Sequence, residues 1–121
     1  MAAYNNRALG TYYEQKTAEF LEENGILLIT SNFRGKQGEI DLIGRDGHCL
    51  VFFEVKYRSS NRYGYGMDAV DHRKQYRICR TADYYLYLHP LVEGESVRFD
   101  VISIDRDTYT WIKDAFYYIE R

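Results

Sequence analysis

The segment from Cys49 to Tyr57 restricts the fold more than any other part of the chain. It contains a nearly continuous apolar run made up of Leu50, Val51, Phe52, Phe53 and Val55. Apolar residues on both faces are typical of a strand in the centre of a sheet that carries helices on each side. Glu54 and Lys56 interrupt the run, and buried charges are costly unless they are paired or bound to metal. We therefore expect an α/β fold in which these two side chains open into a cleft.

The rest of the pattern predicts two helices and four further strands. Apolar residues recur at helical spacing from Leu9 to Asn24 and from Met67 to Leu88. The predicted strands are Ile26 to Ser31, Glu39 to Gly44, Cys49 to Tyr57, Val97 to Ile104 and Tyr109 to Lys113. The order is α-β-β-β-α-β-β, a mixed sheet flanked by helices. With 121 residues, one proline and no repeats, the chain is expected to form a single domain over residues 1–121.

Charge and composition limit the function classes. The net charge is −2, so a strongly basic nucleic-acid coat protein is not expected. An enzyme that acts on nucleic acid with a bound cation is compatible with this charge, because the metal supplies part of the positive field. No apolar stretch approaches the roughly 20 residues of a membrane span, and the first ten residues do not resemble a signal peptide. We therefore expect a cytoplasmic protein with no membrane partner.

The turn signal Asp46-Gly47 predicts a hairpin between the second and third strands, in which Asp41 lies opposite Phe52. Because side chains alternate along a strand, Asp41 then shares one face with Glu39, Glu54 and Lys56. The Asp41 and Glu54 carboxylates are diagonal neighbours in this register, with Cα atoms roughly 7–8 Å apart, a span that one cation can bridge. The face therefore carries three acids and a lysine.

This group of charges suits metal-dependent chemistry. Hard oxygen ligands from Asp41 and Glu54 favour Mg²⁺ or Mn²⁺, which can acidify a bound water and polarise a phosphodiester. Lys56 can orient the nucleophile or stabilise the developing negative charge. A solvated ion pair is the alternative for an isolated Glu-x-Lys on a strand. The presence of Asp41 on the same face favours a metal site over that alternative.

Further charged and polar groups lie on the two helices. Glu14 lies on the inward arc of the first helix, and Gln75 lies next to the inward stripe of the long helix, from which it can reach the sheet. Arg73, Arg77 and Arg80 are predicted on the opposite side of that helix, away from the sheet. Such a row of arginines is most often a solvated face, with phosphate contact as the alternative.

Two motifs resemble the signature of the UPF0102, or YraN-like, family of predicted endonucleases. They are Gly38-Glu39-Ile40-Asp41-Leu42-Ile43 and Val51-Phe52-Phe53-Glu54-Val55-Lys56-Tyr57-Arg58. The resemblance extends to Leu9-Gly10 with Glu14 and Ala18, to Asn32-Phe33-Arg34, to Lys74-Gln75 and to Arg98-Phe99-Asp100-Val101. This family is similar to archaeal Holliday-junction resolvases of the PD-(D/E)xK superfamily. The resemblance therefore implies a restriction-endonuclease-like fold for nearly the whole chain.

The same resemblance implies roles for individual residues. Asp41 and Glu54 are the implied metal ligands, with Glu14 as a further ligand. Lys56 is implied to be catalytic together with the two acids, and Gln75 is implied to support catalysis. The implied cofactor is Mg²⁺ or Mn²⁺.

The expected function is that of a metal-dependent endonuclease that hydrolyses DNA phosphodiester bonds, with branched recombination or repair intermediates as candidate substrates. Arg34, Arg58 and Lys74 are the expected nucleic-acid contacts, and a homodimer would suit two symmetric strands. Two alternatives stay open. A nucleic-acid-binding module without activity is favoured by Tyr13, where relatives usually carry glycine before the acid at Glu14. A protein-interaction scaffold is favoured by the 13 tyrosines.

Overall fold

The computed structural model describes residues 2–58 and 70–121, except for the side chains of residues 2–11 and 58. Its elements are helix α1 (Ala2–Glu23), strands β1 (Leu27–Arg34), β2 (Glu39–Asp46) and β3 (Cys49–Arg58), helix α2 (His72–Leu88), and strands β4 (Ser96–Asp105) and β5 (Thr108–Ile112). The predicted α-β-β-β-α-β-β order is confirmed, although α1 and β1 are longer than predicted. Within the described residues, no helix is long and apolar enough to cross a membrane.

The five strands form one mixed sheet in the order β1-β2-β3-β4-β5. β3 pairs in parallel with β4 from Cys49, opposite Ser96, to Arg58, opposite Asp105. The other neighbouring strands are antiparallel. Helix α2 lies in the connection between β3 and β4, since a parallel pair needs a crossover. The apolar run of β3 is therefore in the centre of the sheet, as predicted.

Alternate residues of β3 pack into two cores, one on each face of the sheet. Phe52 belongs to the core that contains Tyr85 of α2, whereas Phe53 belongs to the core that contains Leu21 of α1. Each phenylalanine is 1% exposed, and full burial of such a side chain contributes about 1.5–3 kcal/mol. Even-numbered residues of β3 thus face α2, and Glu54 lies on that face.

The turn between β2 and β3 differs from the predicted one. Asp46 pairs with Cys49 across the hairpin. The turn is therefore formed by Gly47 and His48, and the prediction that Asp46 lies in it is wrong. Gly47 has a φ of +63°, and glycine at the first central position is what a type II′ turn requires. The pairing is shifted by two residues relative to the prediction, which leaves the side-chain faces unchanged.

The first turn of α2 also differs from the prediction. The predicted start, Met67, lies outside the described residues, and the helix begins at His72. Asp71 is its N-cap, because the Asp71 side chain accepts a hydrogen bond of 2.8 Å from the main-chain N–H of Lys74. The cap satisfies one of the main-chain N–H groups at the start of the helix.

Candidate active site

β2 and β3 separate where Asp41 lies. Their ladder ends at the pair Leu42 and Phe53. Just beyond it, Asp41 Oδ2 accepts a hydrogen bond of 2.7 Å from the main-chain N–H of Val55, so a side chain replaces a main-chain acceptor. The observed register, when continued, places Asp41 level with Glu54 and not diagonal to it. The predicted register is therefore wrong, although both carboxylates reach the same pocket.

Glu54 is buried and pairs with a cation from α2. Lys74 Nζ lies 2.9 Å from Glu54 Oε2, and only 7% of the Glu54 side chain is exposed. The hydrogen bond with Glu54 raises the pKa of Lys74, so the ammonium group stays charged. This pairing offsets part of the cost of burying a carboxylate. Lys74 thus lies inside the site, and its contact with nucleic acid stays a prediction.

The surroundings of Asp41 oppose its ionisation. Burial raises the pKa of Asp41 most, and repulsion from Glu54 contributes further, so that it moves from 3.8 to about 7. Glu39 adds to this effect, whereas the N–H of Val55 lowers the pKa. A positive charge between the two carboxylates would reverse the repulsion. The pair is therefore a place where a bound cation would be strongly stabilised.

A pocket of about 220 Å³, which we call the acidic pocket, surrounds the two acids. Its lining includes Gln37, Glu39, Asp41, Glu54, Lys74 and Arg77. The prediction that Arg77 lies away from the site is wrong, because the loop between β1 and β2 folds against that side of α2. A Cβ added to Gly38 of this loop would lie 3.3 Å from Thr81 Oγ1 and 3.6 Å from Arg77 Cβ. The glycine permits this close approach.

Arg80 also differs from the prediction of a solvated face. Its side chain is only 2% exposed, and its Nη2 donates a hydrogen bond of 3.0 Å to the Tyr118 hydroxyl. The segment that follows β5 covers this part of α2, which a helical wheel of α2 alone cannot reveal. Arg73 is exposed, as predicted.

Lys56 and Gln75 lie towards the start of α2. The pKa of Asp71 is lowered chiefly by the main-chain N–H of Lys74 and to a smaller extent by the charge of Lys56, so Lys56 lies near the helix cap. The Gln75 side-chain amide donates a hydrogen bond of 2.7 Å to the carbonyl of Val70. Among the described residues, neither lines the acidic pocket. Their catalytic roles stay predictions.

Comparison with known proteins confirms the resemblance seen in the motifs. Residues 13–104 match the model described as "Uncharacterised protein family UPF0102". The chain belongs to the UPF0102 family. It is 38% identical over 109 residues to a UPF0102 protein of Legionella pneumophila (strain Corby), which covers 88% of this chain and 92% of the relative. It is 41% identical over 114 residues to one of Aliivibrio fischeri (strain MJ11), covering 92% and 93%. It is 38% identical over 112 residues to one of Lachnoclostridium phytofermentans, covering 93% and 95%.

Within the UPF0102 region, Glu14 belongs to an acidic pair held by an asparagine. With the Asn32 amide nitrogen turned towards both acids, it donates hydrogen bonds of 3.0 Å to Glu14 Oε2 and to Glu39 Oε2. Asn32 lies opposite Asp41 in the register of β1 and β2, and its φ of +53° is one that Asn tolerates better than most residues. Sequence reasoning missed this role, for which the only signal was the motif Asn32-Phe33-Arg34.

Tyr13, the residue before Glu14 in α1, packs on another tyrosine. Its ring stacks on that of Tyr57, with centroids 5.0 Å apart and planes inclined by 22°. The Thr17 hydroxyl donates a hydrogen bond of 2.7 Å to the Tyr13 carbonyl. The Tyr13 ring therefore packs at the end of β3, on the residue that directly follows Lys56.

The two remaining expected nucleic-acid contacts lie at strand ends. The side chain of Arg34 is 80% exposed, with its Nη2 3.8 Å from Glu39 Oε1. Arg58 ends β3, and its side chain lies outside the described part of the chain. Arg34 also lines a second pocket, which adjoins the acidic pocket at Gln37.

Asp41 and Glu54 offer the oxygen ligands that Mg²⁺ and Mn²⁺ prefer. In the described part of the chain, no group of three or more His, Cys, Asp or Glu side chains is arranged to hold a metal ion. Mg²⁺ often uses only one or two carboxylates and keeps several waters. The two acids therefore fit such an ion, and its binding stays a prediction.

Proposed function

We propose that this chain is a metal-dependent endonuclease that hydrolyses DNA phosphodiester bonds. The observation that carries the proposal is the pair of Asp41 and Glu54, in which burial and repulsion raise the pKa of Asp41 to about 7. A buried acid and a half-buried acid that repel each other destabilise a fold unless a cation joins them. A cation-binding role accounts for this cost.

In this proposal, Asp41 and Glu54 hold Mg²⁺ or Mn²⁺ through their carboxylate oxygens. The hydrogen bond from the N–H of Val55 fixes the orientation of Asp41. When bound, the cation polarises the phosphodiester and lowers the pKa of a bound water. Lys74 and Arg77 supply positive charge at the wall of the pocket, where phosphate oxygens would lie.

Three further residues act around the acids in this proposal. Lys56 stabilises the negative charge that develops on the phosphate. Gln75 supports catalysis from the start of α2, where its amide is held by the Val70 carbonyl. Glu14 remains a candidate metal ligand in this proposal, and its contact with Asn32 also orients Glu39.

Branched DNA is the proposed substrate class, and the cytoplasm is the proposed location. Cutting two symmetric strands takes two active sites, so a homodimer on the DNA is part of the proposal. Sedimentation with and without a four-way junction measures that state. A single copy bound to each junction would contradict the proposed dimer.

Cleavage assays test the activity directly. The protein would be incubated with plasmid, single-stranded and four-way-junction DNA in Mg²⁺, Mn²⁺ or chelator. We expect products only with metal, and a rate reduced by about 10²-fold or more in Lys56→Ala. Lys113→Ala is the matched control, because it removes the same charge beside β5, at the sheet edge opposite β1. Products in chelator, or a wild-type rate in Lys56→Ala, would contradict the proposal.

One observation favours a second function. Lys74 Nζ already contacts Glu54 Oε2 at 2.9 Å, and such an internal cation lets the fold retain two acids without metal. The chain would then be a nucleic-acid-binding module that does not cleave. DNA binding without product in every metal would support this alternative.

A further inference from the structure

A second pocket, which we call the basic pocket, lies beside the acidic pocket. It has a volume of about 530 Å³, and its lining includes Arg34, Lys36, Gln37, Arg80, Tyr84 and Arg121. Among the described residues, the lining contains four basic side chains and no acid. The whole chain, by contrast, has a net charge of −2. Positive charge concentrated in a concave surface favours an anionic ligand.

Arg80 is the buried member of this group. Its Nε donates a hydrogen bond of 2.9 Å to Asp83 Oδ2, and its Nη2 donates to the Tyr118 hydroxyl and the Ile119 carbonyl. Its Nη1 is buried and has no hydrogen-bond partner in the described part of the chain. An unpaired buried donor is costly. An anion in the adjoining pocket would offset that cost through its charge.

Arg34 and Arg121 are exposed members of the group, with 80% and 74% of their side chains accessible. Each lies 3.8 Å from an acid, Arg34 from Glu39 and Arg121 from Asp83. Exposed pairs of this kind contribute little stability, so both guanidinium groups can turn towards a ligand at small cost. Guanidinium groups also match the oxygens of a phosphate in a bidentate manner.

The two pockets meet at one residue of the loop between β1 and β2. Gln37 lines both of them. Arg77 of the acidic pocket is followed along α2 by Arg80 and Tyr84 of the basic pocket, about 5 and 10 Å further at 1.5 Å per residue. A nucleic-acid strand carries one phosphate for roughly every 3.4 Å of helix axis. A strand that crosses the acidic pocket would therefore reach the basic pocket within about two or three nucleotides.

We infer that the basic pocket binds the backbone phosphates of the nucleic-acid strand that crosses the acidic pocket, two or three nucleotides from the bond to be cut. Tyr84 is 46% exposed beside these cations, and its ring can stack on an unpaired base. The inference rests on the proposed function for the path of the strand. It does not require that the bond is cut.

Strand binding without cleavage tests this inference. Fluorescence anisotropy would follow a labelled single-stranded oligodeoxynucleotide in chelator, over a range of salt concentrations. Lys36→Ala and Arg121→Ala change exposed side chains, so they should leave the fold intact. We expect each to weaken binding about three- to tenfold and to lower the salt slope by about 0.7. Lys113→Ala, with the same loss of charge at the far sheet edge, should stay within about twofold of wild type.

Each other outcome overturns the inference. Equal losses in Lys36→Ala, Arg121→Ala and Lys113→Ala would mean that only the overall charge matters. No loss in the first two, or no binding by the wild type, would remove the strand from this pocket. Inorganic phosphate and a nucleoside triphosphate serve as competitors. Strong competition by the triphosphate that disappears in Lys36→Ala would make this a free-nucleotide site.

The outcome also separates this inference from the proposed function. Suppose that cleavage depends on Lys56, while Lys36→Ala and Arg121→Ala bind the strand as the wild type does. That result would support the nuclease and contradict phosphate binding in the basic pocket. Strand binding that depends on Lys36 and Arg121, with no product in any metal, would support phosphate binding in the basic pocket and contradict the nuclease.

Discussion

Asp41 is half-buried and Asp100 is buried in the same sheet, and their surroundings are opposite. Asp100 accepts hydrogen bonds of 2.9 Å from Nε and Nη2 of Arg98, from Nε1 of Trp111 and from the main-chain N–H of Asp114. Asp41 accepts one main-chain hydrogen bond, from Val55, and faces repulsion from a neighbouring carboxylate. Asp100 thus has several hydrogen-bond donors that stabilise its negative charge. Asp41 lies where ionisation is costly.

Under the proposed function, this difference separates a structural acid from a functional one. The donors around Asp100 join β4 to β5 and to the segment after β5, so its charge stabilises the fold directly. In the acidic pocket, Lys74 pairs with Glu54, whereas Asp41 faces repulsion from Glu54 and Glu39. Burial alone therefore does not identify the functional carboxylate, whereas the balance of donors and like charges does.

The largest expected effect is the loss of stability in Asp100→Asn. The amide would turn an NH₂ group towards donors and leave Arg98 without its main partner, a change that costs about 3–5 kcal/mol for a buried pair. The free energy of unfolding from urea titration measures it. Asp107→Asn, in the exposed turn between β4 and β5, should change stability by less than about 0.5 kcal/mol. A loss below about 1 kcal/mol in Asp100→Asn would break the comparison.

The second prediction is that Asp41→Asn stabilises the metal-free protein at pH 8. The pKa of Asp41 is about 7 in the folded chain and 3.8 ordinarily, so the folded chain binds the proton more tightly. Wild-type stability should therefore fall as the pH rises from about 4 to about 7. The amide that replaces the carboxyl group cannot ionise and avoids this loss, while its oxygen can still accept from Val55.

The full pKa shift of Asp41 corresponds to about 4 kcal/mol. Because solvent in the open pocket screens the charges, the stability gained in Asp41→Asn should be about 2 kcal/mol. Urea titrations at pH 4.5 and pH 8 in chelator measure it. Asp107→Asn, which keeps Asp41, is the control and should match the wild type at both pH values. A wild type more stable than Asp41→Asn at pH 8 would mean that the fold stabilises the ionised carboxylate.

Sequence reasoning recovered the central strand, the order of elements and the face that carries the acids. The apolar run around Phe52 and Phe53 indicated a strand that is covered on both faces of the sheet. The shared face of Asp41 and Glu54 was predicted despite the wrong turn, because a register error of two residues preserves alternation. An error of one residue would have separated them.

The contacts that complete the pocket could not be predicted in the same way. A helical wheel gives directions relative to one helix, and Arg77 meets the site only because the β1–β2 loop lies against α2. The same limit concealed the burial of Arg80 beneath the last residues. Asn32 adopts a positive φ that its residue type allows but does not require. Such contacts depend on long-range packing.

The third prediction concerns a negative charge introduced beside the acidic pocket. Asn32→Asp would place a third carboxylate about 3.0 Å from Glu14 and Glu39, where the amide now donates. We expect a loss of about 1 kcal/mol at pH 8, which shrinks at high salt because screening weakens the repulsion. Asn32→Gly tolerates the same backbone and adds no charge, so it should cost less. Equal losses in the two variants would show that the amide does not bridge these acids.

The smallest expected effect concerns Lys74, which competes with any metal for Glu54. Removing its ammonium group in Lys74→Ala should free Glu54 Oε2 and raise the affinity for Mn²⁺ by about three- to fivefold, or roughly 1 kcal/mol. Arg73→Ala, one residue earlier on α2 and exposed, is the matched control and should change the affinity by less than about twofold. Calorimetric titration with Mn²⁺ at pH 8 measures both. Asp41→Asn in the same titration should abolish binding, since one of the two carboxylates is lost. An unchanged or weaker affinity in Lys74→Ala would mean that lysine and metal do not compete, so that Lys74 is the cation the two acids are built to hold.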